Sequence, residues 1–218
     1  MVCWLKPKAQ RLKTKDDMRR VPALILIVAL WMTTLYAAGD ALQFRGVNGE
    51  RLALFASTGK PSALFFIATD CPISNWYAPT IQQVCRDYAA RGVGCTLVYE
   101  DVDLGAAPAT LDAEVRAHLR EYRYGSMIAA VDRTRIVAKQ AKATVTPSVA
   151  LVDGRGIVRY RGRIDNAYAD LGRPRQHVTS HDVRVSLDAM LAGRPVPAPE
   201  TEALGCYITD PASIRRKP

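Results

Sequence analysis

The sequence contains no internal repeat and no low-complexity tract, which excludes stacked-repeat and fibrous architectures. At 218 residues it is too short for two full domains and long enough for one sizeable core. Aromatic residues are scarce, 7% of the chain, and they do not interleave with the basic ones. Although Lys and Arg outnumber Asp and Glu by 30 to 21, a nucleic-acid partner is therefore not expected, because such surfaces join basic stripes to stacking rings. The excess charge lies at one end instead. Residues 1–20 carry Lys6, Lys8, Arg11, Lys13, Lys15, Arg19 and Arg20 against Asp16 and Asp17, a surplus of five of the nine net positive charges.

Long apolar runs are also rare. One stands out, Val21 to Ala38, directly after the basic stretch and without a single charge. It is about the length that crosses a bilayer core as a helix, and a basic flank on its N-terminal side orients the start of the chain to the cytoplasm. The segment is expected to act as a signal peptide or a membrane anchor. Ala37-Ala38-Gly39 offers small residues for cleavage, and a start at Met18 would leave the short basic leader of a signal peptide. Both fates stay open, and both place the remainder outside the cytoplasm. Three regions follow: 1–39, basic and apolar; 40–194, a folded domain; and 195–218, a tail opened by Pro195-Val196-Pro197-Ala198-Pro199.

Within 40–194 the hydrophobic period switches repeatedly between strand and helix. Gln43 to Phe55 reads as a hairpin around Val47-Asn48-Gly49, and Ala63 to Ala68 as a strand buried on both faces. Ile81, Val84, Cys85 and Tyr88 mark one helix over 74–90, ended by Arg91-Gly92. A second buried strand is expected at 93–98. Leu111, Val115, Leu119 and Tyr122 mark a further helix with Thr110 as its N-cap. Then come a strand at 127–131, a short helix at 133–142, and a hairpin of 148–152 with 157–163 turned by Asp153-Gly154. Val183, Leu187, Met190 and Leu191 form a last helix stopped by Gly193. Alternating strands and helices with a closing hairpin describe an α/β domain.

Five cysteines are present, and four of them follow the apolar segment. In an oxidising compartment their pairing matters. Cys71 leaves a buried strand and precedes a helix, where backbone N–H groups stabilise a thiolate. A cysteine so placed suits thiol–disulfide exchange or attack on a peroxide. Cys85 falls on an apolar helix face and Cys95 in a buried strand, so buried free thiols are expected there rather than a disulfide. Cys206 lies in the tail, in Gly205-Cys206-Tyr207-Ile208.

The stretch Phe65-Phe66-Ile67-Ala68-Thr69-Asp70-Cys71-Pro72-Ile73-Ser74-Asn75 resembles the active-site turn of the thioredoxin-like superfamily, in particular its redoxin branch of peroxiredoxin-related and periplasmic thiol–disulfide proteins. Pro79 stands where that family carries a helix-kinking proline, and Thr146-Pro147 is similar to its cis-proline loop. The resemblance covers residues 43–165 and implies a three-layer α/β/α sandwich. It further implies an oxidoreductase with Cys71 as nucleophile, with Thr146, Pro147, Thr69, Asp70 and Ser74 around the substrate, and with no cofactor. Partners would be a thiol or disulfide protein, a small thiol, or a peroxide. Two departures sharpen this. Ser74 stands where thioredoxins have the second cysteine, so Cys71 needs a remote resolving thiol, for which Cys206 is the candidate. Thr69 is two residues before Cys71 rather than the three of peroxiredoxins, and Arg161, Arg163 and Arg173 offer no spacing that marks a peroxide-activating arginine. The alternative is a non-catalytic or copper-handling protein of this fold, using His177 and His181 with the cysteines. The Cys-x-x-x-Cys motif of the copper proteins is absent, and no metal site is assigned.

Overall fold

The computed structural model describes residues 43–100 and 106–209. The chain divides into two units, Met1–Asp40 and Ala41–Pro218, and the first lies outside the described residues, as does the apolar run 21–38. Among the described residues no helix is long and apolar enough to cross a membrane.

Five strands make the central sheet: β3 (Ser62–Ile67), β4 (Gly94–Tyr99), β5 (Ile128–Val131), β7 (Ser148–Val152) and β8 (Val158–Gly162), in the order β5-β4-β3-β7-β8. β3, β4 and β5 run parallel, while β7 and β8 are antiparallel additions. The centre of the sheet is β3, whose residues Ala63 to Ile67 are all fully buried, as the unbroken apolar run requires of a strand covered on both faces. Alternate side chains split cleanly between two cores. Ala63, Phe65, Ile67, Leu97, Tyr99 and Leu151 face α2 (Ala78–Ala89), α3 (Pro108–Glu121) and α5 (Asp182–Leu191). Leu64, Phe66, Val98, Ala150 and Val152 face α4 (Ile136–Ala141) and Leu52 and Leu54, in and just after the hairpin of β1 (Gln43–Arg45) and β2 (Arg51–Ala53). The result is a three-layer sandwich.

The turn Asp153-Gly154 joins β7 to β8, and the Asp153 carboxylate accepts the N–H groups of Arg155 (2.9 Å) and Ile157 (3.0 Å). Several boundaries differ from expectation. The helix expected over 74–90 is two helices, α1 (Pro72–Trp76) and α2, separated at Tyr77. Pro79 has no N–H to continue the ladder, so the break falls beside it. α3 begins at Pro108 with Ala107 as N-cap, not at Thr110, because a proline's fixed φ suits the first helical position. Two short ribbons complete the fold, β9 (Tyr168–Asp170) with β10 (Arg173–Pro174), and β6 (Val145–Thr146) with β11 (Cys206–Tyr207). Cys85 and Cys95 are joined as a disulfide from α2 to β4, correcting the expectation of free thiols, with their Cα atoms 6.0 Å apart. A helix packed directly on a neighbouring strand brings the two side chains within bonding range, which apolar patterning alone does not register.

Candidate active site

Cys71 sits where β3 ends and α1 begins. Its backbone is extended (φ −84°, ψ 110°), Pro72 opens the helix behind it, and its carbonyl accepts the N–H of Asn75 at 3.0 Å. Its thiol is fully buried, 3.3 Å from the carbonyl oxygen of Thr146, to which it donates. The Thr146–Pro147 peptide bond is cis. Thr146 is the last residue of β6, and β6 is paired antiparallel with β11 so that Cys206 stands opposite Thr146. That register delivers the Cys206 thiol to 2.8 Å from the Cys71 sulfur.

The tail reaches this point along a continuous path. Arg161 N–H donates to the Pro199 carbonyl (3.0 Å), and Thr201 N–H donates to the Arg161 carbonyl (3.1 Å). The Thr201 hydroxyl lies 2.7 Å from the Tyr160 hydroxyl and accepts the Arg163 N–H. Beyond Cys206, Ile208 N–H bonds the Thr144 carbonyl (2.9 Å), and the Arg135 guanidinium donates to the Thr209 carbonyl (3.2 Å). Residues 199–209 therefore lie against the domain as an added edge.

The two sulfurs are electrostatically unequal. Burial works against the Cys71 thiolate, but the Cys206 thiol, the Ser74 hydroxyl and the backbone N–H groups of Ser74 and Cys206 together hold its pKa below the ordinary 9.0. Cys206 moves the opposite way, up to about 12, through burial, its bond to Cys71 and the negative charges of Cys71 and Asp70. Cys71 is the more acidic of the two thiols and Cys206 the less acidic.

Beneath the turn runs a chain of hydrogen bonds with a fixed direction. Asn75 donates its amide N–H to the Thr69 carbonyl (3.0 Å), which turns its amide oxygen toward His118 Nε2 at 2.9 Å. Nε2 then carries a proton to donate, and Nδ1 lies 2.9 Å from the Tyr99 hydroxyl. His118 is buried on α3, so the turn is hung from the interior by its imidazole. Sequence reasoning passed over His118 and Asn75. A signal existed, since His118 continues the apolar face of Leu111 and Val115 at helical spacing.

The other expected site residues fall in distinct places. Ser74 is buried behind Cys71, its hydroxyl accepting the Ala68 N–H at 3.4 Å and bonding the Cys71 sulfur. Thr69 contributes its carbonyl to the turn. Asp70 is exposed and its charge helps to raise Cys206. Arg161 pairs with Glu200 of the tail (2.5 Å) and Arg163 with Asp182 of α5 (2.9 Å), while Arg173 is exposed on β10. His177 and His181 are exposed, the latter at the N-cap of α5. Among the described residues no group of three or more His, Cys, Asp or Glu is arranged to hold a metal ion. Outside the cysteines, Trp76 is half exposed and meets Tyr168 edge-on at 5.3 Å.

Neither a protein-family model nor a curated protein matches the sequence. Solved structures do. A hypothetical protein of Sinorhizobium meliloti 1021 is similar at 26% identity and a TM-score of 0.65, over 78% of this chain and 91% of that one. An uncharacterized conserved protein from Geobacillus kaustophilus is similar at 25% identity and a TM-score of 0.64, over 78% and 90%. The sheet order, with the cysteine at the exit of the central parallel strand and the Thr146–Pro147 loop facing it, decides the architecture. The fold is thioredoxin-like. More distant structures include dsbF of MTB, at 21% identity and a TM-score of 0.47 over 56% and 84%, a likeness too low to carry a functional conclusion. On this thioredoxin-like frame the position of the second cysteine of the motif is taken by Ser74, and the second sulfur comes from the tail.

Proposed function

We propose that the chain is an extracytoplasmic thiol–disulfide oxidoreductase in which Cys71 is the nucleophile and Cys206 the resolving thiol. The observation that carries this reading is the 2.8 Å separation of the two sulfurs, brought together by strand pairing from positions 135 residues apart. The Cys71 thiolate attacks one sulfur of a partner disulfide, forming a mixed disulfide and releasing the partner's other sulfur as a thiolate. Cys206 then loses its proton and attacks the Cys71 sulfur. The partner's remaining sulfur leaves, so the partner is reduced to a dithiol and Cys71–Cys206 is oxidised; with an oxidising partner the same steps run in reverse.

The electrostatics time this second attack. Two of the causes that raise Cys206 are its bond to Cys71 and the Cys71 charge. Both disappear when the thiolate is consumed in the mixed disulfide, so Cys206 becomes more acidic at the step that needs its thiolate. Disulfide exchange is better supported than peroxide reduction, because Arg161 and Arg163 are held in ion pairs with Glu200 and Asp182 instead of being turned to the sulfur. An oxidising compartment accords with the Cys85–Cys95 disulfide and with the basic and apolar N-terminal segments, through which residues 21–38 would engage the membrane if retained.

The test is to treat the reduced chain with an oxidised dithiol and, separately, with hydrogen peroxide, then map the products by mass spectrometry. A Cys71–Cys206 linkage formed by the dithiol, and a Cys206→Ser variant that accumulates the mixed disulfide at Cys71, are expected. Persistent sulfenic acid at Cys71 with Cys206 free would overturn the cycle.

A further inference from the structure

The tail shows in atomic detail what kind of polypeptide the groove beside Cys71 accepts. β11 is an extended segment whose cysteine faces the nucleophile, and its neighbours experience very different surroundings. At the residue before the cysteine there is no room at all. A Cβ built on Gly205 would run into the carbonyl oxygen and carbon of Thr146 and the nitrogen of Pro147, all of them backbone atoms that no rotamer change can move. Gly205 needs no positive φ; the requirement is space alone. At the residue after the cysteine the opposite holds, for Tyr207 is 84% exposed and makes no demand on side-chain type. One residue further, Ile208 packs on the second core cluster while its N–H bonds the Thr144 carbonyl.

We propose that the groove lined by Val145, Thr146, Pro147 and Cys71 is selective for cysteines that an extended polypeptide presents as Gly-Cys-x-apolar, with glycine before the cysteine as the strict element. This rests on Cys71 acting as the nucleophile proposed above. The chain's own Gly205-Cys206-Tyr207-Ile208 is one such sequence and fills the groove at rest. A partner protein enters by displacing it and is chosen by the same steric gate. Side chains at the position before the cysteine, down to alanine, hold the partner backbone away from Thr146 and carry its sulfur out of line with Cys71. The position after the cysteine tolerates any residue, and an apolar residue at the next adds packing.

The gate is tested in the full chain carrying Cys3→Ser, Gly205→Ala and Cys206→Ser, where the same crowding keeps the tail out of the groove and, with Cys85 and Cys95 joined, only Cys71 is offered as nucleophile. Two peptides, Ala-Gly-Cys-Tyr-Ile-Thr and Ala-Ala-Cys-Tyr-Ile-Thr, are supplied as their 2-thiopyridyl mixed disulfides. Cys71 attacks the peptide sulfur, the bond to the thiopyridyl sulfur breaks, and the released thiopyridone is read by absorbance. The glycine peptide is expected to react faster by about tenfold or more, the scale on which one carbon forced into a filled site is felt. A smaller ratio, or reaction with neither peptide while 2,2′-dithiodipyridine still modifies Cys71, overturns the gate and leaves the nucleophile standing. Failure of 2,2′-dithiodipyridine to modify Cys71 overturns the oxidoreductase reading and the gate with it.

Discussion

Reducing the Cys85–Cys95 disulfide should destabilise the domain by a calculable amount. The bond closes a loop with a sequence separation of 10. In the chain-entropy treatment such a closure removes about 2.7 kcal/mol of conformational freedom from the unfolded state at 25 °C. For a domain of this size 1 kcal/mol moves Tm by roughly 2–4 °C, so loss of the crosslink should lower Tm by about 5–11 °C. Substituting the cysteines would add a packing loss, since Cys85 belongs to the core and Cys95 packs against it. The cleaner perturbation is chemical: a Cys71→Ser/Cys206→Ser chain is melted with and without dithiothreitol, with thiol counting to verify that the remaining bond opens. The side chains then stay in place and only the crosslink changes. A fall of less than about 2 °C would refute the entropic argument.

Three further outcomes follow from the site and its support. Because the Cys71 pKa lies below 9.0 and the Cys206 thiol is one of the groups holding it there, the pH profile of Cys71 alkylation should reach its plateau below that of an ordinary thiol, and Cys206→Ala should move the midpoint upward; an unchanged midpoint would refute the role of that hydrogen bond. Glu100 is buried and its pKa is pushed from 4.5 to about 9, chiefly by burial and by the Asp132 charge, against the pull of Arg135. Its folded form therefore holds a proton that the unfolded form has released between those values, so stability should fall as pH rises across that window, and Glu100→Gln should flatten the slope in urea melts at pH 5, 7 and 9. Replacing His118 by Phe removes the bonds to Tyr99 and Asn75, which should cost about 1–3 kcal/mol in urea unfolding and slow Cys71 alkylation; an unaltered alkylation rate would show that the turn is held by other means.

The layers of the fold were legible because their signals are local. The run from Ala63 to Ile67 is apolar without alternation, which only a doubly covered strand tolerates, and Asp153-Gly154 between two apolar runs is a turn by its own chemistry. The placement of Cys71 was legible for the same reason, between a buried strand and a proline-led helix. What escaped depends on packing across the chain. Nothing in Cys85 and Cys95 separately reveals that α2 rests on β4 at bonding distance. His118 looks like any polar interruption of an apolar face until Asn75, from a different helix, is set 2.9 Å away. The buried Glu100 and Arg135 pair, 3.2 Å apart, joins the end of β4 to the N-cap of α4, which the sequence separates by a helix and a strand. The tail's composition suggested an extended path, whereas the pairing of Cys206 with Thr146 is a matter of register, which composition does not encode.

The anchorage of the tail at Thr201 sets the length of a leash. Thr201 is fixed by Arg161, Tyr160 and Arg163, and Cys206 lies five positions further along the chain. If β11 lifts away while that anchor holds, the Cys206 sulfur can swing through about 17 Å, enough to clear the groove for an incoming strand but not enough to leave its vicinity. Held on so short a tether, Cys206 returns to Cys71 at an effective concentration on the millimolar scale or above. On the proposed cycle, a mixed disulfide at Cys71 would then be resolved from within the molecule ahead of dilute thiols in the surroundings, and the partner's residence would be governed by the recoil of the tail.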